Sequence, residues 1–409
     1  MKKSNKLKVF SDPIYGFIRI PDAQLFNLIA HPYFQRLRRI SQMGLSYLVY
    51  PGAHHTRFHH AMGSMYLMQQ AIQVLRFKKN EITEEEGVAL LTAILLHDIG
   101  HGPFSHAMEH SIVEGINHEE ISLAFMEALN VEFNGNLSMA IDIFKGTYPK
   151  KYLNQLVSSQ LDMDRLDYLK RDSFYTGVFE GNINAERLIS MLNVHNDSLV
   201  VEEKGIYSVE KFLMARRFMY WQVYLHKTGI VAEQLLIKIL QRAKELHRSG
   251  KIVEASTALS FFIDKPIDPV SFDAHALQVF ANLDDIDILS AIKHWRHHED
   301  LVLSNLCQMV LDRRLLKIRL QNEKIEQEEY QLKLSRVVSH YNCSKEEARY
   351  FVFKGIIANT AYDLDDQSIH ILNKNGRIND VTDTSDDFNL KALARTVSKY
   401  YLCYPLLDD

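Results

Sequence analysis

Residues 95–106 read LLHDIGHGPFSH. The residues before them form an apolar run, and Thr83 with an acidic residue three positions later is a typical helix start. The pattern predicts a helix over 84–98 that is apolar on all sides and therefore buried. His97 and Asp98 then lie at the end of a buried helix, where polar side chains are costly unless they are paired or bound to a metal ion.

Two further ligand-type side chains lie on either side of this stretch. His60 lies in RFHHAMG, on a predicted helix, and Asp164 lies in LDMDRLDY. Taken singly, His60 is typical of a core histidine and Asp164 of an acidic helix face. Together with His97 and Asp98 they supply two imidazoles and two carboxylates, which can hold one divalent metal ion with positions open for water and substrate. The set predicts a metal-dependent hydrolase.

Composition bounds the class of protein. The chain has 409 residues, of which 46% are hydrophobic, enough for one large core and a smaller part. A net charge of −4 gives no general nucleic-acid signature. The sequence contains no run of about 18 apolar residues, so no membrane span is expected. The N-terminus lacks the apolar region of a signal peptide. Three widely spaced cysteines, Cys307, Cys343 and Cys403, argue against a disulfide framework, so we expect a cytoplasmic protein.

Hydrophobic periodicity predicts a mostly α protein. Two short strands around an Asp-Pro turn are predicted at 7–20. Helices are predicted at 22–50, 56–76, 84–98, 150–172, 209–247, 252–262, 269–282, 284–296 and 310–336, with another after His118. The tail at 350–409 mixes β-rich stretches with a last helix near 388–401. We therefore predict a helical core at 1–250 and a smaller α+β part at 251–409 that contributes an oligomer interface.

The segments RFHH, HDIGHGPFSH and DMDRLDY resemble the HD-domain phosphohydrolases. KVFSDPIYGFI, FQRLRRISQMG, YPGAHHTRFHHAMG and YLHKTG extend the resemblance to the deoxynucleoside triphosphate triphosphohydrolases. The resemblance is clear from residue 8 to about 245. It implies an HD-domain helical core preceded by a short N-terminal β-hairpin.

The resemblance also assigns roles to single residues. It implies that His60, His97, Asp98 and Asp164 bind the metal ion. It implies catalytic or phosphate-side roles for His118, Glu109, His101 and His106, in which His118 is the general acid or base and Glu109 its acidic partner. It implies substrate contacts for Gln42, Met43, Arg57, Arg165, Tyr168, Asp172, Arg216, Tyr224, His226 and Lys227.

The implied reaction is attack of a metal-bound water on the α-phosphorus of a deoxynucleoside triphosphate, dGTP among them, which yields a deoxynucleoside and tripolyphosphate. The metal would be one divalent ion: Mn, Fe, Mg, Zn, Ni or Co. The resemblance further implies a homo-oligomer, a dimer or tetramer, with room for a nucleotide effector at a subunit interface. Lys8 and Arg38 match residues of that regulatory pocket. Ala30, however, replaces an aspartate that reads guanine in some relatives, so we do not expect activation by dGTP.

Two other functions compete with this interpretation. The first is another HD-type phosphohydrolase, acting on a nucleoside monophosphate, a cyclic dinucleotide or an alarmone. The second is a catalytically silent regulator that binds nucleotides or nucleic acid, to which Arg36, Arg38 and Arg39 with nearby aromatics could contribute. That basic cluster is small and the net charge is negative, so nucleic-acid binding is the weaker interpretation.

Overall fold

The computed structural model describes residues 8–104, 109–364, 368–385 and 390–407, without the side chains at 109, 110, 391 and 392. Helices α1 to α20 span Ala23–Ala30, Pro32–Gln35, Arg57–Phe77, Glu84–Leu96, Glu109–Ile112, His118–Glu132, Ser138–Phe144, Lys151–Val157, Met163–Thr176, Ala185–Ser190, Ile206–Met219, Lys227–Arg248, Thr257–Asp264, Ala274–Phe280, Asp285–Trp295, Leu301–Leu311, Gln327–Tyr341, Lys345–Ala348, Val381–Thr384 and Leu390–Leu393. Strands β1 to β9 span Lys8–Asp12, Gly16–Ile20, Leu192–His195, Ser198–Glu202, Lys317–Gln321, Phe353–Asn359, His370–Leu372, Ile378–Asp380 and Val397–Tyr404. The prediction of a mostly α protein with an N-terminal hairpin is confirmed.

Within the described residues, three small sheets accompany the helices. The hairpin β1–β2 pairs Asp12 with Gly16, and the Asp12 carboxylate accepts the amides of Ile14 and Tyr15 at 2.9 and 3.0 Å, which closes the turn. A second sheet has the order β3-β4-β7-β8, and its β4–β7 pair is parallel. The third sheet, β5-β9-β6, is antiparallel and lies entirely in the C-terminal part.

Helix α4 occupies the centre of the core. The predicted capping box is present, since Thr83 accepts the amide of Glu86 at 3.2 Å and Glu86 accepts that of Thr83 at 2.8 Å. All eight residues of α4 from 89 to 96 are buried, as the apolar run predicted. Helices α3 and α7 pack against α4, and α9 packs against α3. These contacts bring the start of α3, the end of α4 and the start of α9 into one region.

Three of the long predicted helices are interrupted. The helix predicted over 22–50 is wrong, because Pro32 has no amide hydrogen to continue α1 and instead begins the one-turn helix α2. The helix predicted over 209–247 is also wrong, since a π-helical turn at Tyr220–Tyr224 ends α11 and His226 caps the start of α12. The helix predicted over 150–172 is two helices, α8 and α9, separated at residues 158–162.

The C-terminal predictions fail for a different reason. Part of the helix predicted over 310–336 is the strand β5, and the last five residues of the helix predicted near 388–401 belong to the strand β9. These two strands pair with each other, so the tertiary partner decides their conformation. The prediction also missed α16 and the hairpin β3–β4.

The predicted division at residue 250 stays a prediction. Buried apolar side chains form a continuous cluster from Ile18 to Cys403, and the β4–β7 pair joins segments from both sides of the division. Within the described ranges, every helix is too short or too polar to cross a lipid bilayer.

Candidate active site

The four predicted metal ligands meet in space. The first turn of α3 carries His60, the chain that leaves α4 carries His97 and Asp98, and the first turn of α9 carries Asp164. Nε2 of His60 lies 3.0 Å from the Asp164 carboxylate and 3.6 Å from that of Asp98. Nε2 of His97 lies 3.5 Å from each of the same two carboxylates. Two ring nitrogens and two carboxylates therefore converge on one small volume.

Hydrogen bonds at the far side of each ring fix which nitrogen faces this volume. Nδ1 of His60 donates to Asp167 at 2.8 Å, and Nδ1 of His97 donates to the carbonyl of Ile94 at 2.6 Å. The two Nε2 atoms are buried and have no hydrogen-bond partner among the described residues. Metal-binding histidines show this arrangement, in which one nitrogen is oriented by a neighbour and the other remains available. The four residues thus fit a divalent metal ion.

The charges of the cluster favour a cation. Burial lowers the pKa of His60, but the nearby carboxylates of Asp164 and Asp167 outweigh that effect and raise the pKa to about 10. Burial alone would raise the pKa of Asp98, but the adjacent cations His97 and Arg57 lower it well below its usual range. The carboxylates therefore favour positive charge at the ring nitrogens, which a divalent ion also provides.

Asp167 was not predicted from the sequence, although it holds His60. It is fully buried and accepts from Nε and Nη2 of Arg171 at 2.9 and 3.0 Å. Arg171 in turn donates to Asp12 in the hairpin at 2.8 Å. This buried chain, which we call the Asp12–Asp167 chain, connects strand β1 to a metal ligand. The sequence carried only one signal for it, the i, i+4 spacing of Asp167 and Arg171.

His101 and His118 lie next to the metal ligands. Their rings stack at 4.0 Å between centroids, and Nε2 of His101 lies 3.4 Å from the Asp98 carboxylate. Burial and the nearby Arg57 hold the pKa of His101 well below its usual range, so its ring is neutral and can donate one hydrogen bond. His106 and the side chain of Glu109 lie outside the described residues.

A cavity of about 420 Å³ opens onto this cluster. Among the predicted site residues it is lined by Gln42, Met43, Arg57, Asp98, His101, His118, Asp164, Arg165, Tyr168, Asp172 and Tyr224. The structure therefore brings most of the predicted substrate contacts and the metal ligands to one space. Arg216, His226 and Lys227 do not line this cavity.

One end of the cavity is rich in hydroxyl and amide groups. The Asp172 carboxylate is held in place by His55, which donates at 2.6 Å, and by the Tyr224 hydroxyl, which donates at 2.8 Å. The Gln42 side-chain oxygen is buried and has no hydrogen-bond partner among the described residues. Such groups can bind the hydroxyls of a sugar.

The three residues outside the cavity lining differ in their surroundings. Arg216 is 8% exposed, and two of its guanidinium nitrogens have no hydrogen-bond partner among the described residues. A buried, unpaired guanidinium is costly, which points to an anionic ligand nearby. His226, in contrast, accepts the amide of Thr228 and caps α12, which Lys227 begins.

Several lining residues were missed by the sequence analysis. Tyr220 and Leu225 lie at the π turn, Phe104 follows the HDIGHG loop, and Glu233 lies in the second turn of α12. Burial raises the pKa of Glu233 to about 7. The helix periodicity at 209–247 gave no sign of Tyr220, Leu225 or Glu233, because the π turn changes which side chains face the cavity.

Comparison with known proteins agrees with this geometry. The HD domain matches residues 57–172, and the HD associated region matches residues 183–260. An uncharacterised Bacillus subtilis protein is 32% identical over 100% of this chain and 94% of its own length. A solved phosphohydrolase from Bacteroides thetaiotaomicron superposes with a TM-score of 0.95 at 50% identity, covering 98% of this chain and 100% of that one.

More distant relatives carry a more specific name. The deoxynucleoside triphosphate triphosphohydrolase SAMHD1 of Gallus gallus is 29% identical over 301 residues, which cover 62% of this chain and 49% of that protein. The four predicted metal ligands lie within the HD match, and both matches contribute residues to the cavity lining. The chain therefore belongs to the HD-domain phosphohydrolase family, among the members that resemble the deoxynucleoside triphosphate triphosphohydrolases.

Proposed function

We propose that the protein hydrolyses deoxynucleoside triphosphates, dGTP among them, to a deoxynucleoside and tripolyphosphate with the help of one divalent metal ion. The observation that carries the proposal is that two of the predicted metal ligands, Asp98 and Asp164, line a cavity that is also lined by Gln42, Asp172 and Tyr224, whose polar groups can bind a sugar. The identity with the Gallus gallus triphosphohydrolase supports the same substrate class.

A divalent metal held by the four ligand residues would neutralise charge on the α-phosphate and lower the pKa of a water molecule. The guanidinium groups of Arg57 and Arg165 line the cavity and would bind phosphate oxygens. Water oxygen forms a bond to the α-phosphorus while the bond from that phosphorus to the sugar 5′ oxygen breaks. His118 lines the cavity and would give a proton to the departing 5′ oxygen.

The test is a panel of the four dNTPs with each candidate metal, in which tripolyphosphate is detected directly. We expect tripolyphosphate and deoxynucleoside in equal amounts. The double variant His97→Ala, Asp98→Ala should lose both bound metal and hydrolysis. His59→Gln is the matched control, because His59 is adjacent to His60 but accepts from Thr56 instead of facing the cluster.

Product identity separates this proposal from the other HD-type reactions. Release of inorganic phosphate from a monophosphate, or opening of a cyclic dinucleotide, with no tripolyphosphate from any dNTP would overturn it. A protein that binds dNTPs and metal without turnover would be the silent regulator instead.

We also propose that the protein is a homo-oligomer that does not need a guanine nucleotide as activator. Ala30 ends α1 and offers no carboxylate to a guanine base. Lys8 and Arg38 are the two residues that match the regulatory pocket of relatives. Here Lys8 lies over the ring of Phe26 at 4.3 Å, and Arg38 lies over the ring of Phe58 at 3.6 Å. Strong stimulation of dATP or dCTP hydrolysis by GTP or dGTP would contradict this, and light scattering would give the oligomer size.

A further inference from the structure

A short segment of the C-terminal part, residues 283–285, contacts two stretches that form walls of the candidate active site, one at Ser41 and one at Phe104. It lies outside both family matches, the later of which ends at residue 260. The carbonyl of Leu283 accepts from Nε of the fully buried Arg36 at 3.0 Å. The other two nitrogens of Arg36 donate to the carbonyls of Ile99 and His101, at 3.2 and 2.6 Å. The segment is thus tied to the loop that carries Asp98.

Asp285 makes the most direct of these contacts. One carboxylate oxygen accepts the backbone amide of Ser41 at 2.8 Å, and the other accepts that of Phe104 at 2.7 Å. Asp285 is 6% exposed, so water competes little for these bonds. Ser41 directly precedes Gln42, and Phe104 lines the cavity. One carboxylate therefore joins two cavity walls that are far apart in the sequence.

The joined walls are close together and strained. Phe104 has a φ of 52°, in the left-handed region that side chains other than glycine and asparagine rarely adopt. Gly44 has a φ of 50°, and a Cβ added there would lie 3.4 Å from the Phe104 carbonyl oxygen. Strained backbone of this kind persists only where surrounding contacts hold it. The bond from the Phe104 amide to Asp285 is such a contact.

Asp285 is itself held by its neighbours. It is the first residue of α15, and Asp284, the N-cap, forms an ion pair with Arg39. Asp287 accepts the amide of Asp284 at 2.8 Å and completes the capping box. The carboxylate that joins the walls thus extends from a helix start that its capping box and the Arg39 ion pair hold in place.

We propose that Asp285 is a positioning residue that sets the width of the sugar end of the cavity, and thereby the preference for deoxynucleotides over ribonucleotides. The preference part rests on the proposed function. Gln42 and Met43 follow the amide that Asp285 holds, and Phe104, which the same carboxylate holds, lines the cavity beside them. When one of the two bonds is lost, the walls can separate and a 2′-hydroxyl gains space.

The test compares Asp285→Asn with Asp287→Asn. Asparagine has nearly the volume of aspartate, but its amide nitrogen cannot accept, so one of the two wall bonds is lost. For Asp285→Asn we expect kcat/KM for the best dNTP to fall about 10-fold to 100-fold. The ratio of dNTP to NTP turnover should fall as well, while the metal Kd should stay within about twofold of the wild-type value. Asp287→Asn weakens the same helix start without touching the walls, so its ratio should match wild type.

Two readouts keep the outcomes separate. Hydrogen exchange of peptides containing Ser41 and Phe104 should quicken in Asp285→Asn and stay unchanged in Asp287→Asn; equal exchange in both would overturn the positioning role. An unchanged dNTP-to-NTP ratio, measured by nucleotide binding as well as by turnover, would overturn the specificity role. If the wild type hydrolyses no dNTP, the proposed function fails, while exchange and binding still decide the role of Asp285.

Discussion

His60 presents Nε2 to the other ligands because Asp167 holds its Nδ1–H, and Asp167 is in turn fixed by Arg171. Partners of this kind are a substantial part of a metal site, since their removal typically costs about 10- to 100-fold in metal affinity or activity. The Asp12–Asp167 chain should therefore matter for metal binding even though none of its members touches the metal volume directly.

We expect Asp167→Asn to weaken metal binding by about 10- to 100-fold, because the amide no longer accepts the imidazole proton as a carboxylate does. Competition with a fluorescent chelator would measure the Kd of Mn²⁺. Glu127→Gln, on the exposed face of α6, is the control and should bind as wild type does. An unchanged Kd for Asp167→Asn in a folded protein would show that His60 needs no such partner.

A second prediction concerns Glu233. Burial raises the pKa of this cavity carboxyl to about 7. Below that pH the protonated acid can both donate and accept a hydrogen bond, which suits the hydrogen-bonding edge of adenine or cytosine. Above that pH the carboxylate only accepts hydrogen bonds, which suits the two N–H groups of guanine. The ratio of dGTP to dATP kcat/KM should therefore rise between pH 6 and 8, and Glu233→Gln should flatten the profile. A wild-type ratio independent of pH would contradict this.

The residues that could be predicted from the sequence are those whose chemical type has few other uses. Adjacent His97 and Asp98 at the end of an apolar helix is such a case. Asp167 and Asp285 could not be predicted in the same way. Each accepts hydrogen bonds from groups that only the fold brings near, and an aspartate at a helix start usually serves as a cap.

At the scale of elements, the π turn between α11 and α12 had the largest effect on the site. The apolar periodicity of 209–247 continues across it, so the sequence predicts one helix. The turn instead places Tyr220, Tyr224 and Leu225 on the cavity. Periodicity can predict where a helix is buried, but one extra residue in a turn leaves the pattern intact while it redirects the side chains.

Helix α3 provides a test of how closely elements pack at the site. A Cβ at Gly63 would overlap the Asp167 carboxylate and the Arg171 guanidinium. Gly63→Ala should therefore lower the thermal midpoint, although alanine is favoured over glycine by about 1 kcal/mol in a helix interior. Gly87→Ala in α4 is the matched control. Its Cβ would meet only the far end of Arg76, at 2.9 Å, so the same helix preference should leave its midpoint equal or higher.

The stability of the whole molecule should respond to metal and pH together. The pKa of His60 is raised to about 10, above its ordinary value of 6.5. The stability that this proton contributes is full below pH 6.5 and is lost as the pH rises towards 10. Metal binding needs the unprotonated nitrogen, so metal affinity rises over the same interval.

The rise in thermal midpoint on adding Mn²⁺ to chelator-treated protein should therefore grow from pH 6.5 to 8.5. Differential scanning fluorimetry under nitrogen would measure it, and His60→Gln should remove the growth. A midpoint shift that shrank as the pH increased would contradict the assignment of His60 as a ligand.

The parallel pairing of β4 with β7 has a consequence for how the protein is made. Val201 must find Ile371, so this contact has a long loop to close and waits for most of the chain to leave the ribosome. The four predicted metal ligands, all before residue 165, emerge much earlier. A nascent chain thus exposes its histidines and carboxylates while the walls around them are unfinished, and final assembly is post-translational.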